Sequence, residues 1–587
     1  MIPNLVRVSV LSPEICPGEP SESLRGIRAA VRGALSLSPD MIILPPFVLC
    51  GLSAGHMAKN GAIRAAAEEA LSLLAEESAG SGALVVLSTP APFTGEPERI
   101  VLYKGDILRA APGDSGRFQY GAVAFRVWQG DPLAVPLLAG EPDCDLFLCL
   151  SDVPAPCGAP ERFFRAAESY SESTGCAVVL CGSARGESLA PRCFRPFAAI
   201  YENGMLLARS DEDHPHITAD TDLDIIRAVK RVPTFLAQEE GARPLSEKNG
   251  ILRDVPKDPF LPVDPAQRDA ALREYFSLQV SALEGRMRAI GCRHLVLGVS
   301  GGIDSTLALL VCTKAMDRLG LPRSNILGVT MPGFGTTDRT YYNALKLIVG
   351  LGAQLREISI SKSVMQHFED IGHDPAVHDV TYENAQARER TQILLDIANA
   401  EHALVAGTGD LSEEALGFCT YGGDQLASFN LNSSIPKTLA RRIVGLLAAE
   451  DDFAAERDIL TDILDTPVSP ELLPAAGAAP SQKTEEILGP YELHDFFLFY
   501  FVRYGLSPSK IYYYALNAFS GRYSPDMIKE TLRVFLRRFT ASQFKRSCAP
   551  DSSALGPVDL TPCGFRMPSD MRADALIREL DTIKIKG

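Results

Sequence analysis

The segment LGVSGGIDST carries the densest group of residue types that could bind phosphate. Two adjacent glycines, Gly301 and Gly302, let the backbone approach a ligand closely. N–H groups at the start of a helix attract anionic oxygens, and Ser300 and Ser305 add hydroxyl donors. A carboxylate beside phosphates is explained if it holds Mg²⁺, which is the role we expect of Asp304. The pattern predicts a nucleotide-phosphate site; the alternative is an ordinary glycine-rich turn with capping side chains.

The elements that must position this loop form an α/β domain starting near Ala266. The apolar strand HLVLGVS leads into the loop, and the helix TLALLVCTKAMDRL leaves it. A strand (ILGVTMPG), a helix (TDRTYYNALKLIVGLG) and a short strand (LREISI) follow. This alternation predicts a doubly wound parallel sheet, in which ligands bind beyond the carboxyl ends of the strands.

Residues 1–231 form a second predicted α/β domain. Its β-like runs are DMIIL, GALVVLSTP, GAVAFRVW, DCDLFLCLS and GCAVVLCGS, and FAAIYENGMLLARSD predicts a hairpin around Asn203-Gly204. Residues 232–265 are rich in proline, glycine and charge, which marks a connector to a domain spanning 266–587. A second irregular stretch, 464–489, precedes a helical C-terminal section.

Composition restricts the class of protein. The 587 residues are enough for two large domains, and no apolar run reaches the ~18–20 residues that span a bilayer. The start of the chain shows no secretion signal, so we expect a cytoplasmic protein without membrane contact. A net charge of −16 argues against nucleic-acid binding, and 13 scattered cysteines without CxxC pairs indicate neither disulfides nor zinc.

The SGGIDS loop resembles the SGGxDS loop of the ATP pyrophosphatases, which form adenylated intermediates and release pyrophosphate; no GKS or GKT follows, unlike a Walker P-loop. Two further segments, TYENAQARERTQILLDIAN and LVAGTGDLSEEALGFCTYGGDQLASFNLNSSIPKT, are similar to the NAD⁺ synthetases, and this resemblance covers nearly all of residues 266–570. It implies an adenine nucleotide alpha hydrolase-like fold, ATP and Mg²⁺ as cofactors, deamido-NAD⁺ and ammonia as substrates, and a homo-oligomer.

The resemblance also implies roles for individual residues. The predicted ATP contacts are Gly298, Ser300, Gly301, Gly302, Asp304, Ser305, Thr408 and Lys437. The predicted deamido-NAD⁺ contacts are Asn384, Arg388, Glu413, Phe418, Cys419, Thr420, Tyr421 and Lys545. Asp304 and Glu413 would hold the metal, and together with Lys437 they would be the catalytic residues. A late loop, CAPDSSALGPVDLTPCGFRMPSD, lacks the glycine-lysine pair and the tryptophan usual in the family.

Residues 1–231 resemble the nitrilase-like glutaminase domain fused to long synthetases, an αββα sandwich in which Glu, Lys and Cys release ammonia from glutamine. The position that holds the catalytic glutamate in those glutaminases is Pro46 here, in the segment LPPFVLCG. Counting back four residues from Trp128, as the resemblance implies for the nucleophile, leads to Ala124. The shortened segment GDSGRFQYG supplies no lysine. These residues predict a silent glutaminase half and nitrogen from free ammonia or from an external ammonia-supplying partner.

Several alternatives remain at the level of the sequence. The triad can be present but unrecognised, with Cys144, Cys149 or Cys157 as the nucleophile, which would leave a fully glutamine-dependent NAD⁺ synthetase. The chain can also be another ATP-pyrophosphatase amidotransferase, or a nucleotide-binding protein without catalysis.

Overall fold

A computed structural model describes residues 4–91, 97–110, 116–137, 143–188, 192–211, 213–230, 250–335, 338–466 and 488–583. The chain divides into two compact units, Met1–Asp254 and Val255–Gly587. Among the described residues, none of the helices combines the length and apolar character needed to cross a membrane.

The first unit contains two six-stranded sheets, in the orders β12-β1-β2-β3-β4-β5 and β11-β10-β9-β8-β7-β6. The strands are β1 (Leu5–Val10), β2 (Met41–Pro46), β3 (Leu84–Pro90), β4 (Pro97–Tyr103), β5 (Asp106–Arg109), β6 (Arg117–Tyr120), β7 (Val123–Gly130), β8 (Leu146–Ser151), β9 (Ala177–Cys181), β10 (Ala198–Glu202), β11 (Met205–Arg209) and β12 (Ile217–Asp222). The helices are α1 (Pro20–Leu35), α2 (Gly61–Ser78), α3 (Ala159–Thr174) and α4 (Leu223–Val229).

Alternate residues of the strands explain the layers of this unit. Val8 of β1 and Leu148 of β8 belong to one buried core between the two sheets. Ile42 of β2 points the other way and packs with α1 and α2, whereas Phe147 of β8 packs with α3. Helices therefore cover the outer faces of two packed sheets, which confirms the predicted αββα sandwich. The predicted hairpin is β10–β11, with positive φ at both Asn203 and Gly204.

Two buried ion pairs hold the chain that follows residue 249 on this unit. Arg7 Nε lies 2.7 Å from Asp220 Oδ1, and the other oxygen of Asp220 accepts a 2.7 Å bond from Leu252 N. Arg253 lies 2.8 Å from Glu202. Residues 250–254 of the predicted connector thus pack on the first unit, 255–265 belong to the second, and 232–249 lie outside the described residues.

The second unit contains a five-stranded sheet in the order β15-β14-β13-β16-β17. Its strands, all parallel, are β13 (Leu295–Gly298), β14 (Ile326–Thr330), β15 (Gln354–Glu357), β16 (Leu404–Gly407) and β17 (Phe429–Asn430). Its helices are α5 (Pro265–Ile290), α6 (Ile303–Leu319), α7 (Asp338–Gly350), α8 (Ser361–Ile371), α9 (Val380–Ala400), α10 (Leu411–Leu416), α11 (Lys437–Ala449) and α12 (Arg457–Leu464), followed by Tyr491–Leu498, the π-helix Phe499–Arg503, Pro508–Ala518, Pro525–Ala541, Gln543–Arg546 and Asp574–Asp581.

Both faces of this sheet are covered. Leu295 and Leu297 of β13 belong to a core that includes residues of α5, α6 and α11. Val296, between them, points into a second core with residues of α8 and α9. The chain starts at the central strand β13, runs outward to β15 and returns to the other side of β13, which confirms the predicted doubly wound sheet. The reversal of strand order places the carboxyl ends of β13 and β16 side by side.

Candidate active site

The loop after β13 joins the strand to the N-terminus of α6. Helix α6 begins at Ile303, and its N-cap residue Gly302 provides no side-chain hydrogen bond to the first N–H groups of the helix. Gly301 has a φ of +87°, and a Cβ there would lie 2.1 Å from the carbonyl oxygen of Thr340. The loop therefore requires glycine at this position for both conformation and space.

The predicted hydroxyl donors of the loop bond to the loop itself. Ser300 Oγ lies 3.2 Å from Ser305 Oγ and accepts a 3.1 Å bond from Gly302 N. Ser305 Oγ donates to the Gly302 carbonyl at 3.1 Å. These bonds fix the curvature of the loop and leave its backbone and the helix terminus as the surface that can receive an anion.

Four ionisable side chains meet beside this loop. The ammonium of Lys437 lies 2.7 Å from Asp304, 2.8 Å from Asp410 and 2.9 Å from Glu413. Lys437 is 1% exposed and Asp410 is fully buried, while Asp304 and Glu413 are partly exposed. The structure thus brings together the three predicted catalytic residues, which come from α6, α10 and α11.

Asp410 is a member of this cluster that the sequence reasoning missed. It is the N-cap of α10 in a capping box: its Oδ1 accepts the Glu413 N–H at 2.7 Å, and Glu413 Oε2 accepts the Asp410 N–H at 3.2 Å. The other oxygen of Asp410 faces Lys437. The spacing D-x-x-E at the start of a helix indicates the capping box, but it does not indicate the contact between Asp410 and Lys437.

The sequence reasoning also missed Asn432, whose side chain is hydrogen-bonded to two segments beside the cluster. Its side-chain amide donates to the carbonyl oxygens of Asp304 at 3.0 Å and Thr408 at 3.1 Å. Its own oxygen accepts a 2.9 Å bond from Gln279. The backbone next to Thr408, a predicted ATP contact, is therefore held beside the glycine loop.

Three carboxylates face a single ammonium in this cluster. Burial raises the pKa of Glu413 to about 7 and the pKa of Asp410 well above its ordinary value. Burial disfavours the charged form of Lys437, but Asp304, Asp410 and Glu413 outweigh it and raise the pKa of this ammonium well above its ordinary value. Because the buried carboxylates outnumber the ammonium, their ionised forms are disfavoured unless a further positive charge offsets them.

The donor set fits a divalent cation. One carboxylate oxygen from each of Asp304, Asp410 and Glu413 lies within 4.8 Å of the others. The second oxygen of Asp304, Oδ1, is buried and has no hydrogen-bond partner among the described residues. Three carboxylate oxygens that face one ammonium suit Mg²⁺, so the residues present fit the implied metal.

A second group of predicted residues surrounds the loop that follows α10. Thr420 donates to the side-chain oxygen of Asn384 at 2.8 Å, and Arg388 donates to the Tyr421 carbonyl at 3.1 Å. Lys545 donates to the carbonyls of Gly417 at 2.8 Å and Cys419 at 2.6 Å. The predicted deamido-NAD⁺ contacts on three separate segments therefore lie in one neighbourhood.

This neighbourhood is continuous with the acidic cluster. Phe418 N donates to the Glu413 carbonyl at 2.9 Å, and the Phe418 ring lies 5.7 Å from the guanidinium of Arg538. Lys545, a predicted deamido-NAD⁺ contact, donates to backbone carbonyls of the same loop. Burial raises the pKa of the Cys419 thiol to about 12, so this thiol is suited to packing and not to nucleophilic attack.

The structure locates the two positions of the first unit that were predicted to have lost glutaminase residues. An isolated bridge joins Glu14, after β1, to Arg185, after β9, so the carboxyl ends of the two sheets lie at the same end of the sandwich. Pro46 ends β2 at that end, but Ala124 lies at the amino end of β7. Pro46 and Ala124 therefore lie at opposite ends of their strands.

The carboxyl end of β7 instead carries Trp128, Gln129 and Gly130, without a thiol. Burial raises the pKa of the thiols of Cys144 and Cys149 well above the ordinary value. Cys157 is exposed in the loop after β8. Trp128 lies within β7, because this strand extends through Gly130.

Comparisons with known proteins agree with this layout. A family model described as NAD synthase matches residues 275–533. A glutamine-dependent NAD(+) synthetase of Mycobacterium leprae is 37% identical over 494 residues, covering 77% of this chain and 72% of the relative. The glutamine-dependent NAD(+) synthetase of Mycobacterium tuberculosis is 32% identical over 674 residues, covering 100% of this chain and 99% of the relative.

A solved structure of a glutamine-dependent NAD(+) synthetase from Cytophaga hutchinsonii aligns with 98% of this chain and 100% of its own, at 15% identity and a TM-score of 0.45. The two mycobacterial relatives match through both units, and the family model covers the strands and helices that build the acidic cluster. The chain belongs to the glutamine-dependent NAD(+) synthetase family.

Proposed function

We propose that this chain activates the nicotinate carboxylate of deamido-NAD⁺ with ATP and converts it to the amide of NAD⁺. The observation that carries this proposal is the convergence of Asp304, Asp410, Glu413 and Lys437 beside a glycine loop at the N-terminus of α6. Family membership supplies the substrates, because the relatives are named NAD(+) synthetases.

The reaction has two steps. An oxygen of the carboxylate forms a bond to the α-phosphorus of ATP, and the bond from that phosphorus to the bridging oxygen of pyrophosphate breaks. Ammonia then attacks the acyl carbon of the adenylate, loses a proton and expels AMP. The first step is needed because a carboxylate is a poor acyl electrophile.

Some residues of the site would position the substrates, and others would offset the negative charge of the phosphates. The N–H groups at the start of α6 and the ammonium of Lys437 would offset negative charge that develops on the phosphates. Asp304, Asp410 and Glu413 would hold Mg²⁺, which when bound neutralises phosphate charge and orients the oxygens. Asn384 and Thr420, joined by a 2.8 Å bond, would orient deamido-NAD⁺.

The direct test is pyrophosphate release from ATP with deamido-NAD⁺ and ammonium. The Asp304→Ala variant should lose activity by at least about 100-fold, because both a metal ligand and a partner of Lys437 are lost. Asp317→Ala, on the same helix but paired with Arg323 at the surface, should keep near wild-type activity. Release of pyrophosphate that does not depend on deamido-NAD⁺, or an active Asp304→Ala enzyme, contradicts the proposal.

We further propose that the first unit does not release ammonia from glutamine. Pro46 cannot accept a proton, and β7 ends without a thiol. Burial raises the pKa of Cys50, on the segment after β2, to about 11, and raises that of Cys181, at the end of β9, well above its ordinary value. The chain would then depart from its glutamine-dependent relatives in its nitrogen donor and use free ammonia or ammonia from a partner.

Comparing nitrogen donors tests this second proposal. Purified enzyme should form NAD⁺ with ammonium and show little formation with glutamine that has been freed of ammonia. A glutamine analogue that alkylates thiols should leave the ammonium-dependent rate unchanged. Robust formation of NAD⁺ from glutamine, abolished by the analogue, would show a working triad that the sequence does not reveal.

A further inference from the structure

Asp495 is a buried carboxylate that none of the sequence motifs singled out. It lies on the helix Tyr491–Leu498 and is 2% exposed. Its Oδ1 accepts a 2.5 Å bond from the hydroxyl of Ser412. Its Oδ2 accepts two bonds from Thr438, at 3.0 Å from the backbone N–H and 2.7 Å from the hydroxyl. Every contact of this carboxylate thus leads to a neighbour of a residue in the acidic cluster.

These contacts cap the helix that carries Lys437. Helix α11 begins at Lys437, and its N-cap residue Pro436 provides no side-chain cap. The N–H of Lys437 donates instead to Ser412 Oγ at 2.8 Å, and the N–H of the next residue donates to Asp495. Two N–H groups that a helix start leaves without intrahelical partners are therefore satisfied by side chains from two other helices.

The same contacts connect Lys437 with its acidic partners. Ser412 immediately precedes Glu413 on α10, so Asp495 joins the start of α11 to the segment that carries Asp410 and Glu413. One turn before Asp495 on its own helix, the ring of Tyr491 lies 5.5 Å from the ammonium of Lys437. One helix face therefore supports both the backbone and the side chain of this lysine.

We propose that Asp495 is a positioning residue for adenylation, which holds the Lys437 ammonium at the place where phosphate charge develops. This inference rests on the proposed function. Asp495 acts through Lys437 and touches no reactant. Because a displacement of about 1 Å of a group that stabilises a transition state can cost about 100-fold in rate, losing this support should lower kcat and leave substrate binding nearly intact.

The experiment measures ATP- and deamido-NAD⁺-dependent pyrophosphate release in the full-length chain, with kcat and both KM values. Asp495→Leu should lower kcat by about 30-fold or more with each KM within about threefold of wild type. Asp495→Asn, which keeps one acceptor oxygen, should retain more activity than the leucine variant. Glu492→Gln is the control: it lies on the same helix but pairs at 2.7 Å with Arg522 and accepts a hydrogen bond from Tyr523.

A double-mutant cycle separates positioning from general loss of structure. In a Lys437→Ala background, Asp495→Leu should lower the residual rate by less than about twofold, because no ammonium remains to be held. A purely structural role would lower the active fraction equally in both backgrounds. Melting temperatures of all variants identify those that fail to fold.

Thr438→Val provides a second route if Asp495→Leu does not fold. It removes the hydroxyl that donates to Asp495 at 2.7 Å but keeps the backbone N–H and the side-chain shape. It should lower kcat by about three- to tenfold at an unchanged melting temperature. Wild-type kcat in both Thr438→Val and Asp495→Asn, or an equal effect with and without Lys437, overturns the inference. A wild-type chain without deamido-NAD⁺-dependent activity instead contradicts the proposed function.

Discussion

Replacing Lys437 with methionine removes an ammonium that lies 2.7, 2.8 and 2.9 Å from three carboxylates and keeps a side chain of similar length. The lysine is 1% exposed, so water cannot take its place. Removing one partner of a buried ion pair costs about 3–5 kcal/mol, because it leaves uncompensated charge. The same change at Lys314, which pairs with a single exposed carboxylate, Asp452, should cost about 1 kcal/mol or less.

The difference between the two variants should thus be at least about 2 kcal/mol, or roughly 30-fold in a local opening equilibrium. Amide hydrogen exchange of the full-length chain, with metal chelated, measures this opening at α10 and α11. Fluorescence would not report it, because the single tryptophan, Trp128, lies in the first unit. If Lys437→Met loses no more protection at α10 and α11 than Lys314→Met, the cluster is not held together as described.

Adding Mg²⁺ to the same samples extends the test. A ligand that binds only the folded state stabilises it by about 2.7 kcal/mol at 100 times its dissociation constant. Because Lys437→Met removes the ammonium that faces Asp304, Asp410 and Glu413, Mg²⁺ should protect α10 more in this variant than in the wild type. Equal protection in both would argue against a metal at these three carboxylates.

Three further outcomes are expected. Gly301→Ala should lower the rate of pyrophosphate release by about 100-fold, because its Cβ would lie 2.1 Å from the Thr340 carbonyl oxygen. Gly302 has a φ outside the left-handed region, so Gly302→Ala should lower this rate by less than about tenfold. Asn384→Ala should raise the KM for deamido-NAD⁺ about tenfold and leave the KM for ATP unchanged, as steady-state kinetics would show. Burial lowers the pKa of His494 to about 4, whereas the unfolded chain protonates this group near pH 6.5. The free energy of unfolding should therefore fall by about 1.4 kcal/mol for each pH unit as the pH is lowered from 6.5 to 4. The His494→Asn variant should lose this pH dependence, as thermal unfolding would show.

Local sequence patterns were sufficient to predict the glycine loop and the sheet that carries it. Gly301, Gly302 and Asp304 follow each other in the chain, and their strand and helix flank them directly, so the sequence contains the whole arrangement. The same is true of the hairpin around Asn203-Gly204, where two residues that tolerate positive φ determine the turn.

Contacts between distant segments were not predictable in this way. The local sequence indicates that Asp410 caps a helix, and the structure has it as the N-cap of α10. Its second oxygen, however, faces Lys437 on another helix, and no local pattern indicates this contact. Asn432 and Asp495 are single polar residues without a local motif, and only the fold brings them to the site. The extent of β7 beyond Trp128 was not predictable either, because the end of a strand is set by pairing with its neighbours, and a single sequence does not record that pairing.

The ion pairs that hold residues 250–254 also determine how the chain would respond to a pulling force. A load applied beyond Val255 is carried first by the Arg253–Glu202 pair, by the bond from Leu252 N to Asp220 and by the bond from Arg7 to the Gly250 carbonyl. These buried polar contacts therefore bear the load before the strands of the first unit do, and force spectroscopy would detect their rupture as a force peak that precedes unfolding of either unit.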